Sequence, residues 1–324
     1  MRVVIVSARS GWHTNELIRA FTERGHLAAL VPYEGLTARF RSSHVEADLQ
    51  ARMVPSAEAG LQTRLTSEQI SLLDADVVLA RIIPGGSLEQ LIYRVDALHW
   101  IENRGVRVVN SPRAIERSVD KFYTTTLLHD AGLPVPETVV CERAEDAMAA
   151  VREMRDVIIK PIFGSLGHGM VRVSDPETAL RVVRALDQIK SVFYVQRAIE
   201  HVGYDLRIFV VGGRVIGTIE RRAPAGEWRT NVAIGGAATA VDISPELESV
   251  ALTAAAVVGA DYAGVDVLPA RDGSAYVLEV NGIPGWQGLQ HATGVDVAAA
   301  IVEHVEQSAP TGTTTERPEE SLPA

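Results

Sequence analysis

From Arg2 to Val109 the chain alternates short apolar runs with amphipathic stretches of helical period, and this alternation restricts the fold more than any other feature. Arg2–Ser7 reads as a buried strand, Thr14–Arg24 as an amphipathic helix closed by Gly25, and Leu27–Pro32 as a second strand. Asp76–Ile82 reads as a further strand. Ser87 offers an N-cap to a helix running through Ile101, and Val106–Val109 supplies another strand. Alternating strands and helices predict a parallel, doubly wound α/β unit over residues 1–112. The turn after the first strand, SARSGW, lacks the GxGxxG pattern of a dinucleotide site. Residues 34–71 are polar and weakly periodic and predict no firm element.

Asn110-Ser111-Pro112 marks a join, with Ser111 as N-cap and Pro112 at the first position of a helix that carries Lys121. A middle lobe over 113–198 then reads strand (Thr138–Cys141), helix (Ala144–Met154), strand (Val157–Lys160), glycine loop, strand (Met170–Val173), helix from Asp175-Pro176, and strand (Val192–Arg197). A last lobe over 199–307 holds two hairpins. Leu206–Val211 and Arg214–Glu220 flank Gly212-Gly213, and Ala263–Leu268 and Ala275–Asn281 flank Arg271-Asp272-Gly273, with helix Glu246–Val258 between the hairpins. The stretch 308–324 is polar and proline-containing and is expected to be disordered.

Composition excludes several classes. No apolar run approaches the roughly 20 residues of a membrane-spanning helix, and the N-terminus MRVVIVSARSG has no signal-peptide core or cleavage site. One cysteine, Cys141, rules out an internal disulfide and predicts a reducing, cytoplasmic setting. A formal charge of −10 argues against a general nucleic-acid binder. GxSxG, HExxH and CxxC are absent.

Lysine is nearly absent. Of 31 basic residues only Lys121, Lys160 and Lys190 are lysine, so those retained are candidates for work that a planar guanidinium does poorly, such as meeting a phosphate as a point charge. Lys160 ends the run DVIIK just before Gly164-Ser-Leu-Gly167-His-Gly169, a loop whose backbone N–H groups could lie over phosphates. Glu279 and Asn281 are two apart on one strand and share a face. Asp266, on the partner strand, can point the same way. Carboxylates inside apolar runs are costly unless paired, and three oxygen donors on paired strands suit Mg²⁺. Glu220-Arg221-Arg222 and Glu227-Trp228-Arg229-Thr230-Asn231 gather arginines that could stabilise charge on a transferred phosphoryl group, though a solvated hairpin end would read the same. Together these features predict an enzyme that binds Mg-ATP.

From about Asn110 to Glu306 the chain resembles the ATP-grasp enzymes, and within them the RimK-type α-L-glutamate ligases. The resemblance rests on VDKFYTTTLLHDAGLPVP, IIKPIFGSLGHGMVRV, YDLRIFVVGGRVIGTIERRAPAGEWRTN and AGVDVL…VLEVNGIPGWQGLQHATGVDVA. It implies an ATP-grasp fold behind an N-terminal pre-ATP-grasp domain, with ATP between the middle and last lobes. Lys121 and Lys160 would contact its phosphates, and Gly164, Ser165, Gly167 and Gly169 would belong to a mobile lid. Gln196, Arg197, Ala198 and Ile199 would flank adenine, with Asp205 near the ribose. Arg229, Thr230 and Asn231 would line the nucleotide and acyl-phosphate site, while Asp266, Glu279 and Asn281 would hold two Mg²⁺ or Mn²⁺ ions. The chain departs from the family in having Arg197-Ala198 in place of Glu-Tyr or Glu-Phe, and Gly-Ile-Pro-Gly-Trp after Asn281. That variant, with ARIIPGGSLEQLIYR upstream, is similar to a branch associated with tetrahydromethanopterin synthesis.

The resemblance implies a carboxylate–amine ligase. An acceptor carboxylate takes the γ-phosphoryl group, L-glutamate displaces phosphate to form an amide, and Arg222 and Arg229 stabilise the transition states. The loops Ala8–His13 and Ile82–Ser87 would contact the acceptor, and a homo-oligomer is compatible with the family. A small-molecule phosphotransferase and a non-catalytic ATP-binding regulator are the competing readings.

Overall fold

The computed structural model describes residues 1–40, 47–52, 69–164, 169–223 and 237–308. Its N-terminal unit contains β1 (Arg2–Ser7), α1 (Trp12–Glu23), β2 (Leu27–Pro32), β3 (Leu36–Phe40), β4 (Ala47–Arg52), β5 (Gln69–Ser71), β6 (Val77–Ala80), α2 (Leu88–Asn103) and β7 (Arg107–Val109). Four strands form a parallel sheet in the order β2-β1-β6-β7, as the alternation predicts. Ser87 caps α2 by accepting the Gln90 N–H, and Gln90 reaches back to the Ser87 N–H. A three-stranded antiparallel sheet, β3-β4-β5, occupies part of the stretch expected to lack firm structure. Leu36, Leu49 and Ala51 bury it against β1 and β6.

The helix expected to carry Lys121 is two helices, α3 (Pro112–Val119) and α4 (Lys121–Asp130). Asp120 adopts extended backbone between them, and its carboxylate accepts the Tyr123 N–H at 3.0 Å. Lys121 is therefore the first residue of α4 rather than a mid-helix residue. Next come β8 (Thr138–Cys141), α5 (Ala144–Met154), β9 (Val157–Lys160), β10 (Val171–Val173), α6 (Pro176–Gln188) and β11 (Phe193–Arg197). These strands pair antiparallel in the order β10-β9-β11-β8, with α5 and α6 packed over one face.

The remainder comprises β12 (Tyr204–Val211), β13 (Arg214–Arg222), β14 (Ala237–Ala240), α7 (Pro245–Val258), β15 (Tyr262–Pro269), β16 (Ala275–Asn281), α8 (Gln287–Thr293) and α9 (Val297–Ser308). Its antiparallel sheet runs β14-β13-β12-β15-β16. Gly212 and Gly213 turn the first hairpin at φ 56° and 72°, backbone that side chains disfavour.

Strand alternation divides this sheet. Leu206, Ile208, Val210, Val265 and Val280 pack under α7. Phe209, Val211, Ile219 and Tyr262 face the other way, into a core shared with α8, α9, α1 and the underside of β1 and β6. The N-terminal unit and the last sheet therefore share one hydrophobic core, whereas β8–β11 with α5 and α6 have their own. Among the described residues no helix is long and apolar enough to cross a membrane. The predicted disorder of the tail beyond Ser308 falls outside the described residues.

Candidate functional site

An open cleft separates the β8–β11 sheet from the β12–β16 sheet. Lys121, Lys160, Gln196, Arg197, Ala198, Ile199, Asp205, Asp266 and Glu279 all line it. Nine of the residues singled out in the sequence thus meet in one place. Arg221, from the arginine cluster noted in the sequence, lines it too, as do Arg172, His201 and Leu278, among others.

The far wall follows from the sheet's two-residue period. Asp205 and Arg207 share the face of Phe209 and Val211, so one surface runs from apolar under α8 and α9 to ionic in the cleft. Arg221 lies opposite Asp205 in the β12–β13 register, and Arg207 opposite Asp266 in the β12–β15 register. The four side chains form a buried chain of alternating charge. Arg221 donates to Asp205 at 2.7 and 2.6 Å and approaches Asp266 Oδ2 at 2.9 Å. Arg207 Nη2 donates to Asp266 at 2.8 Å, and its Nε donates to the other oxygen. Burial works to raise the Asp266 pKa, but Arg207 and Arg221 outweigh it and hold the carboxyl below the usual range. Burial also disfavours the charged form of Arg221, which Asp266 and Asp205 keep protonated.

A β-bulge shapes the floor. Asp266 pairs with Glu279 while the next residue, Val267, pairs with Val277, leaving Leu278 as the extra residue. Consequently Leu278 and Glu279 both face the cleft, and Val277 and Val280 both remain in the core. No side chain among the described residues donates a hydrogen bond to Glu279. Its charge faces the two lysines, partly countering the effect of burial on each. Asn281 Oδ1 accepts the Ile283 N–H at 3.0 Å.

The lysines approach from the other side. Lys121 Nζ donates to the carbonyls of Gly164 at 2.7 Å and Ile162 at 3.4 Å, joining the start of α4 to the base of the glycine loop. Burial lowers its pKa. Lys160 is 7% exposed and donates to Gln196 Oε1 at 2.6 Å. Burial, reinforced by Lys121, brings its pKa down to about 8 against the pull of Glu279 and Asp266.

Several expected roles change. Arg222 points away from the cleft, pairing with Glu220 at 2.5 Å and lying over the Tyr204 ring, because its neighbour Arg221 takes the inward position. Both oxygens of Asp205 accept from Arg221, which ties its carboxylate to the sheet where it lines the cleft. The Gln196 side chain is spent on Lys160, and Arg197 binds Glu137 at 2.7 Å. Gly164 and Gly169 flank the loop, while Ser165, Gly167, Arg229, Thr230 and Asn231 lie outside the described residues.

The N-terminal unit fixes the segment after Asn281. Buried Asn110 donates to the carbonyls of Tyr262 at 2.8 Å and Gly282 at 2.5 Å, and accepts the Tyr262 N–H at 3.1 Å. Arg81, at the end of β6, donates to Pro284 O at 3.0 Å and Tyr262 OH at 3.1 Å and lies 4.7 Å from the Trp286 ring. His13 Nε2 accepts the Trp286 N–H at 3.0 Å. Burial and the nearby Arg81 charge bring the His13 pKa down to about 4, consistent with that acceptor role. The loops of β1 and β6 thus abut the metal-ligand candidates.

Two carboxylates and a carboxamide fit a hard divalent cation such as Mg²⁺ or Mn²⁺. Among the described residues no group of three His, Cys, Asp or Glu side chains forms a softer or larger site. Glu279 is the open donor, and Asp266 retains the lone pairs its arginines do not use.

Comparison with known proteins agrees with this architecture. The chain is 35% identical over 271 residues to a tetrahydromethanopterin:alpha-L-glutamate ligase of Methanosarcina acetivorans, covering 75% of this chain and 84% of that protein. It is 32% identical over 325 residues to a probable alpha-L-glutamate ligase of Methanococcoides burtonii, covering 98% and 99%. Similar folds occur in the RimK domain ATP-grasp protein of Sphaerobacter thermophilus (TM-score 0.69, 24% identity, 94% and 99% covered) and in the ATP-grasp ligase PsnB complexed with minimal precursor (0.70, 21%, 94% and 98%). The sequence profile of the RimK-like ATP-grasp domain matches residues 118–305. With more than half its length matched, this chain belongs to the RimK-like ATP-grasp family.

Proposed function

We propose that the protein is an ATP-dependent carboxylate–amine ligase that joins L-glutamate to the carboxylate of a small acceptor, with release of ADP and phosphate. The observation that carries this reading is the pairing of two desolvated lysines, Lys121 and Lys160, with the open carboxylate Glu279 across one cleft. Relatives named as glutamate ligases support the amine, and a relative named for tetrahydromethanopterin supports a pterin-type acceptor.

In this reading ATP lies along the cleft, with its base against Arg197–Ile199 and Leu278 and its phosphates between the lysines. Asp266, Glu279 and Asn281 would hold two Mg²⁺ or Mn²⁺ ions, which when bound neutralise charge on the phosphate oxygens. The acceptor carboxylate attacks the γ-phosphorus, giving an acyl phosphate and ADP. The neutral glutamate amine then adds to the acyl carbon and expels phosphate, with the N–H proton it loses passing to the departing phosphate or to solvent. Arg207 and Arg221 keep Asp266 ionised throughout, a fixed field that needs no reorganisation during the reaction. The acceptor enters beside the loops Ala8–His13 and Ile82–Ser87.

The test is ADP release by purified protein with Mg-ATP, with and without L-glutamate, across pterin-type, peptide and small carboxylate acceptors, followed by mass spectrometry. Glutamate-dependent ADP release with a product heavier by one glutamyl residue is expected. ADP formed without glutamate, alongside a phosphorylated product, would replace this reading with a phosphotransferase.

A further inference from the structure

We infer that Gln196 is a positioning residue: a neutral anchor that aims the Lys160 ammonium into the cleft, rather than a contact to the base. This inference rests on the reading of the cleft as an ATP site. Gln196 is 2% exposed and sits on β11 between the strands bearing Lys160 and Thr138. Its Oε1 accepts from Lys160 at 2.6 Å, and its Nε2 donates to Thr138 Oγ1 at 3.0 Å and Tyr194 OH at 3.3 Å. An ammonium only donates, so the atom facing it must be the amide oxygen. The contacts on Nε2 then stop the amide from turning over.

The charge of this partner matters as much as its geometry. A carboxylate at position 196 would pair with Lys160 inside the protein and cancel the field that a polyanion needs to meet. An amide fixes the ammonium through one of its three N–H bonds and leaves its full charge and two N–H bonds for the cleft. The chain of contacts continues outward, because Tyr194 OH lies 2.7 Å from Thr125 Oγ1 on α4, the helix that begins with Lys121. Lys160, Gln196, Tyr194 and Thr125 therefore connect the two lysine-bearing elements and set their spacing.

The experiment is a thermodynamic cycle in ADP binding, read by calorimetry at pH 7 on full-length protein. Q196E should weaken ADP binding at least about tenfold in the wild-type background, and by less than about twofold in K160M, because its effect acts through the lysine. T138A, which removes an amide anchor without adding charge, should weaken binding by a few-fold and supplies the test if Q196E fails to fold. Wild-type affinity in Q196E or in T138A would overturn the inference. An equal loss from Q196E in both backgrounds would also overturn it, by making Gln196 a direct nucleotide contact. If wild-type protein binds no ADP, the ATP reading of the cleft falls first and this inference falls with it.

Discussion

Asp266 and Glu279 stand opposite each other across β15 and β16, yet their carboxylates are in opposite states. Asp266 is gripped by Arg207 and Arg221, whereas Glu279 accepts from no described side chain and faces two lysines. Asp266 is held in place by its arginines, whereas Glu279 is open to the cleft.

This asymmetry separates two substitutions of similar appearance. Glu279→Gln should lower kcat by on the order of 10³ or more, while the melting temperature moves by less than about 3 °C. Asp266→Asn should instead destabilise the protein by about 3–5 kcal/mol, because it leaves two buried guanidinium groups short of their counter-charge. Denaturant unfolding beside an ADP-release assay distinguishes the two. Equal stability losses would refute the division of labour.

Lys160 predicts a pH dependence. Its pKa of about 8 in the folded protein lies below the ordinary 10.5, so the unfolded chain holds more protons between these values. Apo stability from this group therefore rises as pH climbs from about 8 toward 10.5, and is lost as pH falls through 8. Nucleotide affinity runs the other way and should decline above about pH 8, where the ammonium deprotonates. Calorimetry of ADP binding at pH 8.5 in buffers of different ionisation enthalpy should report proton uptake (roughly pH 8.5, chosen between the two pKa values). Binding without proton uptake would contradict the assignment.

Gly264 is the third test. A Cβ there would lie 2.8 Å from Arg207 Cδ, 2.9 Å from its Nη1 and 3.2 Å from Pro284 Cβ. Arg207 cannot swing aside without releasing Asp266. Gly264→Ala should cost about 1–3 kcal/mol and reduce turnover, measured by unfolding and by steady-state rates. A variant of unchanged stability would mean that Arg207 is freer than its two contacts to Asp266 suggest.

The fold was legible wherever burial writes a period into the sequence. Val3–Val6 and the Val77–Ala80 strand are apolar throughout because both faces of a parallel sheet are covered, and Ser87, Ser111 and Asp175 announce their helices as caps. The β3–β5 sheet was not legible, since its strands are short and alternate polar residues with only a few apolar anchors. Helices α8 and α9 were missed because their run was read only as a motif. Within the site, Asp266 and Glu279 were visible as carboxylates in apolar strands. The choice between Arg221 and Arg222 was not, because adjacent residues differ only in strand parity and register decides which turns inward. The Leu278 bulge was hidden for a related reason: one inserted residue changes which side chains share a face without altering composition. Gln196 looked like hinge because it is adjacent in sequence to the hinge, while its partner Lys160 is 36 residues away.

The distribution of cores has a mechanical consequence. The N-terminal unit and the last sheet are fused through Phe209, Trp286, α1 and α9, and cannot part without exposing apolar surface to water. The β8–β11 sheet encloses its own core and faces the rest across a cleft lined by charged residues such as Lys160 and Asp266 and by apolar ones such as Ile158 and Leu278. The molecule is therefore an anvil with a single jaw: a small body with its own core set against a larger one that carries Asp266 and Glu279.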